Sequence, residues 1–509
     1  MADSPTIGAR ASGILLHPTS LPGPGTGDLG EQAFRFVDWL EHAEQSLWQL
    51  LPLVAVNEGG SPYNALSAFA GNPLLISPTE LVIHGLLEGD DAAAPRGLGG
   101  GGGIDFGAVM AWKADVVRAA RRIMQGDEEL RADFAAFREE EAAWLDDYAL
   151  FRALRDAHGR RCWADWPEPL RDRHPSALQA ARREHVAEIE RHAYAQYLFG
   201  LQWSAVRRYA HEHAIRIVGD VPIFVSHDSA DVWAHPELFE LTAEGQPAVV
   251  SGVPPDYFSA TGQRWGNPLY RWDVLRETGY RWWIDRFRRT FDLVDVVRID
   301  HFRGFESYWE VPAAEETAMN GRWMPGPGRE LFDAVRAELG ELPVIAEDLG
   351  LITDEVEKLR DDLALPGMRV LQFGFGEDDP ENPHLPRNYV HNAVAYTGTH
   401  DNDTCLGWYA DAGGAEKKQV QELTGGDREM NWRMVETVLR SDAGWAIIPL
   451  QDVLGLGGQA RMNTPGVAEG NWSWRLEEGE LTPELAQRLA RLVRETGRVP
   501  ERRDVHEAG

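Results

Sequence analysis

Cysteine is nearly absent: two residues in 509, Cys162 and Cys405, stand far apart in the chain. That excludes a disulfide framework, and no metal-type Cys/His spacing takes its place. No run of about eighteen uncharged apolar residues occurs, so no helix is expected to span a membrane. The opening residues, MADSPTIGAR, lack a basic start followed by an apolar block, so no secretory signal is visible. A cytoplasmic location is expected. Positive charge is also in deficit, with 50 basic residues against 81 acidic ones and a formal charge of −31. Such a balance argues against nucleic-acid partners, whose phosphates need neutralising, and suits a neutral substrate or none. Lysine is scarce beside arginine, which either base composition or adaptation to a salty cytoplasm explains.

What the chain does have is apolar content, 43% of its residues, enough for a sizeable core, and an alternation of strand-like and helix-like text. The first strand is read at 13–17 (GILLH), a helix at 31–43 (EQAFRFVDWLEHA) with Phe34, Val37, Trp39 and Leu40 on related faces, and a second strand at 47–54 (LWQLLPLV). Residues 85–200 change character: a glycine run is followed by charged helical text rich in Ala, Arg and Glu. This is read as a helical insertion whose last helix returns to the main fold. Strands resume at 215–220, 294–300, 343–347, 368–375, 393–397 and 445–450, mostly with helices between them, one of them N-capped by Thr353. Eight strands predict an α/β chain, a (β/α)8 TIM barrel with the helical insertion between strands 2 and 3 and further loop insertions at the C-terminal face. A doubly wound sheet is the rival, but no Gly-rich phosphate fingerprint follows the first strand. The expected organisation is one catalytic barrel domain over 1–498, with a disordered tail over 499–509.

Barrel chemistry sits where strands end and helix-bound loops begin. Those ends carry Asp220, Asp300, Glu347 and Asp401. Any one acid alone reads as a helix N-cap or first-turn dipole partner. Four on one rim repel one another and ask for a use. Arg298 lies two residues before Asp300, so the two share a face of the strand, inward if Asp300 is catalytic. A guanidinium there holds the acid ionised, as a nucleophile must be. His400 stands beside Asp401 without the second, spaced histidine pair that a metal would want. Paired carboxylates on an open rim suit glycoside chemistry, one protonating the leaving oxygen while the other attacks the anomeric carbon. Among the aromatics, those in Gly/Pro-rich loops are candidates for sugar stacking: Tyr63, Tyr257 and Trp265.

The segments GDVPIFVSHDSADVWAHPELF, GVPPDYFSATGQRWGNPLYRWD, VRIDHFRGFESYWEVP, VIAEDLG and YTGTHDNDT resemble the amylomaltases, the 4-α-glucanotransferases or disproportionating enzymes of glycoside hydrolase family 77. The likeness runs from LLHPTSLPGPGTGDLG to GNWSWR. VRIDHFRG and THDN alone indicate the wider α-amylase clan; the PPDYFSATGQRWGNP block is what points to the glucanotransferase. The resemblance implies Asp300 as nucleophile, Glu347 as general acid/base and Asp401 as the acid binding hydroxyls of the distorted sugar. It implies that Arg298 and His400 flank that sugar, and that Asp220 and a stacking Tyr63 line the same subsite. It further implies that a loop with Asp256, Gln263 and Trp265 covers the acceptor side as a lid, and that Ser61 and Asn471 are contact positions. One departure stands out: the family often has glycine–tyrosine–glycine before SPYN, whereas this chain reads NEGGSPYN and lacks an aromatic there for guiding long glucans.

The implied activity is transfer of a segment of an α-1,4-glucan to a 4-hydroxyl through a covalent glycosyl-enzyme, with the Asp300 and Glu347 carboxyls about 5–5.5 Å apart. Water resolves the same intermediate, so a retaining α-glucan hydrolase is the alternative, and an inactive glucan-binding protein is the alternative of another class. The implied partners are maltooligosaccharides, amylose, and starch- or glycogen-derived glucans, with no cofactor, metal, nucleic acid or membrane. A monomer or weak homo-oligomer is expected.

Overall fold

Eight short parallel strands form the centre of the molecule: β1 (Ala11–Leu15), β2 (Leu47–Gln49), β3 (Arg216–Pro222), β4 (Val296–Asp300), β5 (Val344–Ala346), β6 (Gly367–Val370), β7 (Ala393–Tyr396) and β8 (Trp445–Pro449). The computed structural model describes residues 7–98, 103–255, 259–376, 379–467 and 469–499. Hydrogen bonding links the strands in the order β6–β7–β8–β1–β2–β3–β4–β5. A bond of 2.9 Å from Ala346 N to the Pro366 carbonyl ties β5 to the residue before β6 and closes the ring. This is the (β/α)8 barrel expected from the alternation of elements.

Side chains alternate across each strand, and the two sets form different clusters. Leu15, Leu47, Val218, Val296, Ile345 and Met368 pack together inside the barrel, whereas Ile14, Trp48, Ile217, Val297, Ile299 and Val344 belong to the larger core beneath the helices. On β4 the inward set begins with Val296, so period two carries Arg298 and Asp300 inward as well. Gly13 lets β1 and β2 close up, since a Cβ there would lie 2.4 Å from that of Leu47.

Several boundaries differ from the reading of the sequence. β2 stops at Gln49 rather than 54, because Pro52 has no N–H to continue the ladder. The segment read as one strand over 368–375 turns into the 3-10 helix Leu371–Gly374 after β6. Thr353 does occupy the N-cap of Asp354–Asp362. On the helix Glu31–His42, Val37, Trp39 and Leu40 are buried as read, but Phe34 is only partly covered, and Phe36 and Ala33 complete the inner face. Between β2 and β3 lie the helices Phe106–Gly126, Glu128–Glu140, Ala142–Ala157, Pro175–Glu184 and Val186–Glu212. The last is 27 residues long and runs past the expected limit of 200 to reach β3, anchored by Trp203 Nε1 donating to the Leu293 carbonyl at 2.8 Å. No helix of the described residues is long and apolar enough to cross a membrane.

Two features were not anticipated. A four-stranded antiparallel sheet stands beside the barrel, in the order Gln263–Pro268, Val249–Val253, Ser307–Pro312, Arg322–Pro325. Its strands come from the segments following β3 and β4. At the opposite, N-terminal end of the barrel, Arg498 is fully buried and donates to the carbonyls of Leu439, Ala11, Gly444, Ser441 and Ala443 at 2.7–3.1 Å. No carboxylate faces it among these contacts, and burial, with Arg10 nearby, pushes it down to about 9. Residues 500–509, most of the expected tail, lie outside the described residues.

Candidate active site

Asp300 ends β4, and Ile299 pairs with Ala346 of β5, so the next residue of each strand, Asp300 and Glu347, stands at one level on adjoining strands. The ladder continues there, with Glu347 N donating to the Ile299 carbonyl at 3.0 Å. Neighbouring strands lie about 4.8 Å apart, so the two side chains leave the barrel wall from adjoining positions.

Their surroundings differ. Arg298 reaches from inside the barrel to Asp300 Oδ1 at 2.9 Å and to Asp220 Oδ2 at 2.6 Å. Glu347 accepts two backbone N–H groups instead, His301 at 2.6 Å and Leu349 at 2.9 Å. His301 is able to donate because it takes a left-handed conformation, φ 55°, which a non-glycine residue adopts only at a cost. Burial pushes both carboxyls up, Glu347 to about 8 and Asp300 to about 6. Arg298 opposes that burial at both acids; at Glu347 proximity to Asp300 adds to it. Arg298 thus favours the ionised form of Asp300, as expected, while burial works against it. Of the two, Glu347 is the carboxyl held more firmly in its protonated form.

Around this pair the structure brings together most of the candidates. Tyr63 donates to Asp220 Oδ2 at 2.8 Å, and its ring stacks on His400 at 5.1 Å and 9°. Burial keeps the Tyr63 hydroxyl protonated far above neutral pH. Asp220 Oδ1 is buried with no hydrogen-bond partner among the described residues. His400 Nε2 lies 3.4 Å from Asp401 Oδ2, and Asp401 is 41% exposed, open to the cleft. The loop carrying Tyr63 is held from the insertion: the buried Arg155 on Ala142–Ala157 bonds Glu58 at 3.0 and 3.1 Å and Asp228 at 2.9 Å. Glu58 thus falls within the stretch NEGG that departs from the family pattern.

Other candidates sit differently from the expectation. The segment expected as a lid loop contributes two antiparallel strands to the side sheet, Val249–Val253 and Gln263–Pro268, with Gly252 paired to Arg264 and Val253 to Gln263. Trp265 packs edge-on against His301 at 4.7 Å and donates through Nε1 to Gln263 Oε1 at 3.2 Å. Asp256 and Tyr257 lie outside the described residues. Ser61 Oγ accepts from Tyr63 N at 3.3 Å within its own loop. Asn471 also works locally, bonding Thr464 N at 2.9 Å and the Val467 carbonyl at 2.8 Å. Its neighbour Trp472 is what reaches the site, 5.7 Å from Tyr63 and 6.1 Å from His400. Asn463, donating to Asp401 Oδ1 at 2.6 Å, and Arg461, donating to the Asp401 carbonyl at 2.6 Å, were missed. The tryptophan was visible in GNWSWR; nothing in the spacing of RMNTPG marked the other two. On the insertion helices, Asp156, Glu188 and His192 come within metal-ligand reach of one another, but Arg191 already bonds both acids.

A family model described as 4-alpha-glucanotransferase matches residues 16–482. The chain is 51% identical over 502 residues to a 4-alpha-glucanotransferase of Thermus thermophilus, covering 96% of this chain and 99% of that protein. It is 47% identical over 503 residues to a 4-alpha-glucanotransferase of Synechocystis, covering 96% and 98%. Among solved structures, the amylomaltase from Streptococcus agalactiae in complex with acarbose is similar with a TM-score of 0.93 at 36% identity, over 96% of this chain and 100% of that one.

Proposed function

The chain belongs to the 4-α-glucanotransferase family, glycoside hydrolase family 77, and on that premise we propose which of its residues carry the transfer. It is a 4-α-glucanotransferase, moving a segment of an α-1,4-glucan to the 4-hydroxyl of an acceptor glucose or glucan. Asp300, ionised, attacks the anomeric carbon while Glu347, protonated, gives its proton to the departing glycosidic oxygen. The glucan segment is then esterified to Asp300. In the second half Glu347 takes the proton of the acceptor 4-hydroxyl, whose oxygen attacks the same carbon and releases Asp300. Arg298 orients Asp300 and Asp220 together; Asp401, steadied by Asn463, faces the reacting sugar's hydroxyls; the stacked Tyr63 and His400 form its apolar wall. We also place the enzyme in the cytoplasm, where its two free cysteines stay reduced.

The observation that supports these roles best is the level pairing of two unequal carboxyls, one beside a guanidinium and one on backbone N–H groups. With Glu347→Gln and α-glucosyl fluoride, whose leaving group needs no proton, mass spectrometry is expected to find a glucosyl adduct on Asp300. Asp300→Asn should lose several orders of magnitude in both transfer and hydrolysis. An adduct on another residue, or an Asn variant keeping more than about a tenth of the rate, overturns the assignment. On maltotriose the wild type should yield a ladder of longer oligomers; simple breakdown would mark a hydrolase instead.

A further inference from the structure

The outer strand of the side sheet, Arg322–Pro325, carries Trp323, which is 40% exposed. The indole is not loose. The Arg303 guanidinium lies 3.9 Å from its ring centroid, and Trp309 on the paired strand meets it edge-on at 5.1 Å and 69°. Arg303 is itself buried and donates to the Leu351 carbonyl and, at 3.2 Å, to Ser307 Oγ. A cation held this firmly fixes the ring it stacks on, so Trp323 is an ordered aromatic surface with part of it left in water.

Its neighbour on the other side of Arg303 is the loop that leaves Glu347. Leu349 in that loop donates to Glu347 Oε1, and Leu351, two residues on, is 54% exposed. Trp323, Arg303, Leu351 and Glu347 thus form one connected series of contacts from the sheet edge to the acid/base. A general acid must approach the leaving oxygen, so Glu347 belongs to the acceptor half of the cleft. The acceptor attacks with the 4-hydroxyl of its non-reducing end, and its remaining units must leave the site past Glu347.

We propose that Trp323, with Leu351 beside it, is a distal acceptor subsite that stacks a glucose unit of the acceptor chain toward its reducing end. The inference rests on the role given to Glu347. A neutral α-1,4-glucan suits the place: sugar rings present apolar faces to an indole, and Arg303 links that indole to the loop leaving Glu347. Single glucose fills only the first acceptor position, whereas a chain of several units extends beyond it.

The test is acceptor-length dependence in Trp323→Ala and Trp323→Phe, with α-glucosyl fluoride as donor and glucose or maltopentaose as acceptor. In Trp323→Ala the KM for maltopentaose is expected to rise about five- to tenfold, while that for glucose moves less than about twofold. Trp323→Phe, which keeps an aromatic face and guards against a folding defect in the alanine variant, should recover most of the loss. Equal changes for both acceptors, or no change for maltopentaose in either variant, overturns the proposal. So does a shift in oligomeric state on ultracentrifugation without any length dependence, which would make the surface a contact between copies. Failure of the wild type to extend either acceptor would instead strike the assignment of function.

Discussion

At the scale of single residues, the proposed working parts are two carboxyls whose surroundings set them apart. With Asp300 as nucleophile and Glu347 as acid/base, as proposed, catalysis requires Asp300 ionised and Glu347 protonated. Activity should therefore rise with pH through about 6, as Asp300 loses its proton, and fall through about 8, as Glu347 loses its own. The expected profile of kcat/KM for maltotriose is a bell, whose limbs report the pair rather than either acid alone. With α-glucosyl fluoride in the first half-reaction the alkaline limb should disappear, because that leaving group needs no proton. An alkaline limb that persists there would show that the upper pKa belongs to another group. Asp300, Arg298 and Glu347 were legible because strand period and strand ends fix where side chains point. Asn463 and Arg461 were not, since they reach Asp401 from a segment after β8 that has no period to read. The net direction of the Asp300 shift was also hidden, because a sequence shows the arginine but not the depth of burial that outweighs it.

At the scale of elements, the hairpin Val249–Val253/Gln263–Pro268 matters most for the choice between sugar and water. A hairpin keeps its shape through ladder bonds, so Trp265 is carried over His301 by a framed support rather than a slack loop. If that framing makes it an acceptor lid, Trp265→Ala should weaken acceptor binding by about 1–2 kcal/mol and cut transfer five- to thirty-fold. Hydrolysis should fall less, because water needs no stacking surface. Free glucose and elongated products from maltotriose give both rates in one assay, and an equal fall in the two rules out the lid. All eight barrel strands were readable from their apolar runs and from the helices between them. The side sheet was not, because strands such as QRWGNP and RWMP carry glycine, proline and exposed residues rather than alternating apolar ones. They are held by pairing with distant segments, which one segment's text does not record.

At the scale of the whole molecule, the charge of −31 acts on everything at once. If the acidic, lysine-poor surface is an adaptation to salt, the melting temperature should climb steeply toward molar KCl as self-repulsion is screened. A flat response would leave base composition as the explanation. The barrel also joins distant parts of the chain. β1 is made long before β8, yet the two are neighbours, and Arg498 ties the start of β1 to the residues preceding β8. During synthesis the early strands must therefore wait, with β1 lacking a partner on one side, until some 430 further residues have been added. Completion of the barrel is in this sense timed by the ribosome: the ring can close only once β8 has cleared the exit tunnel.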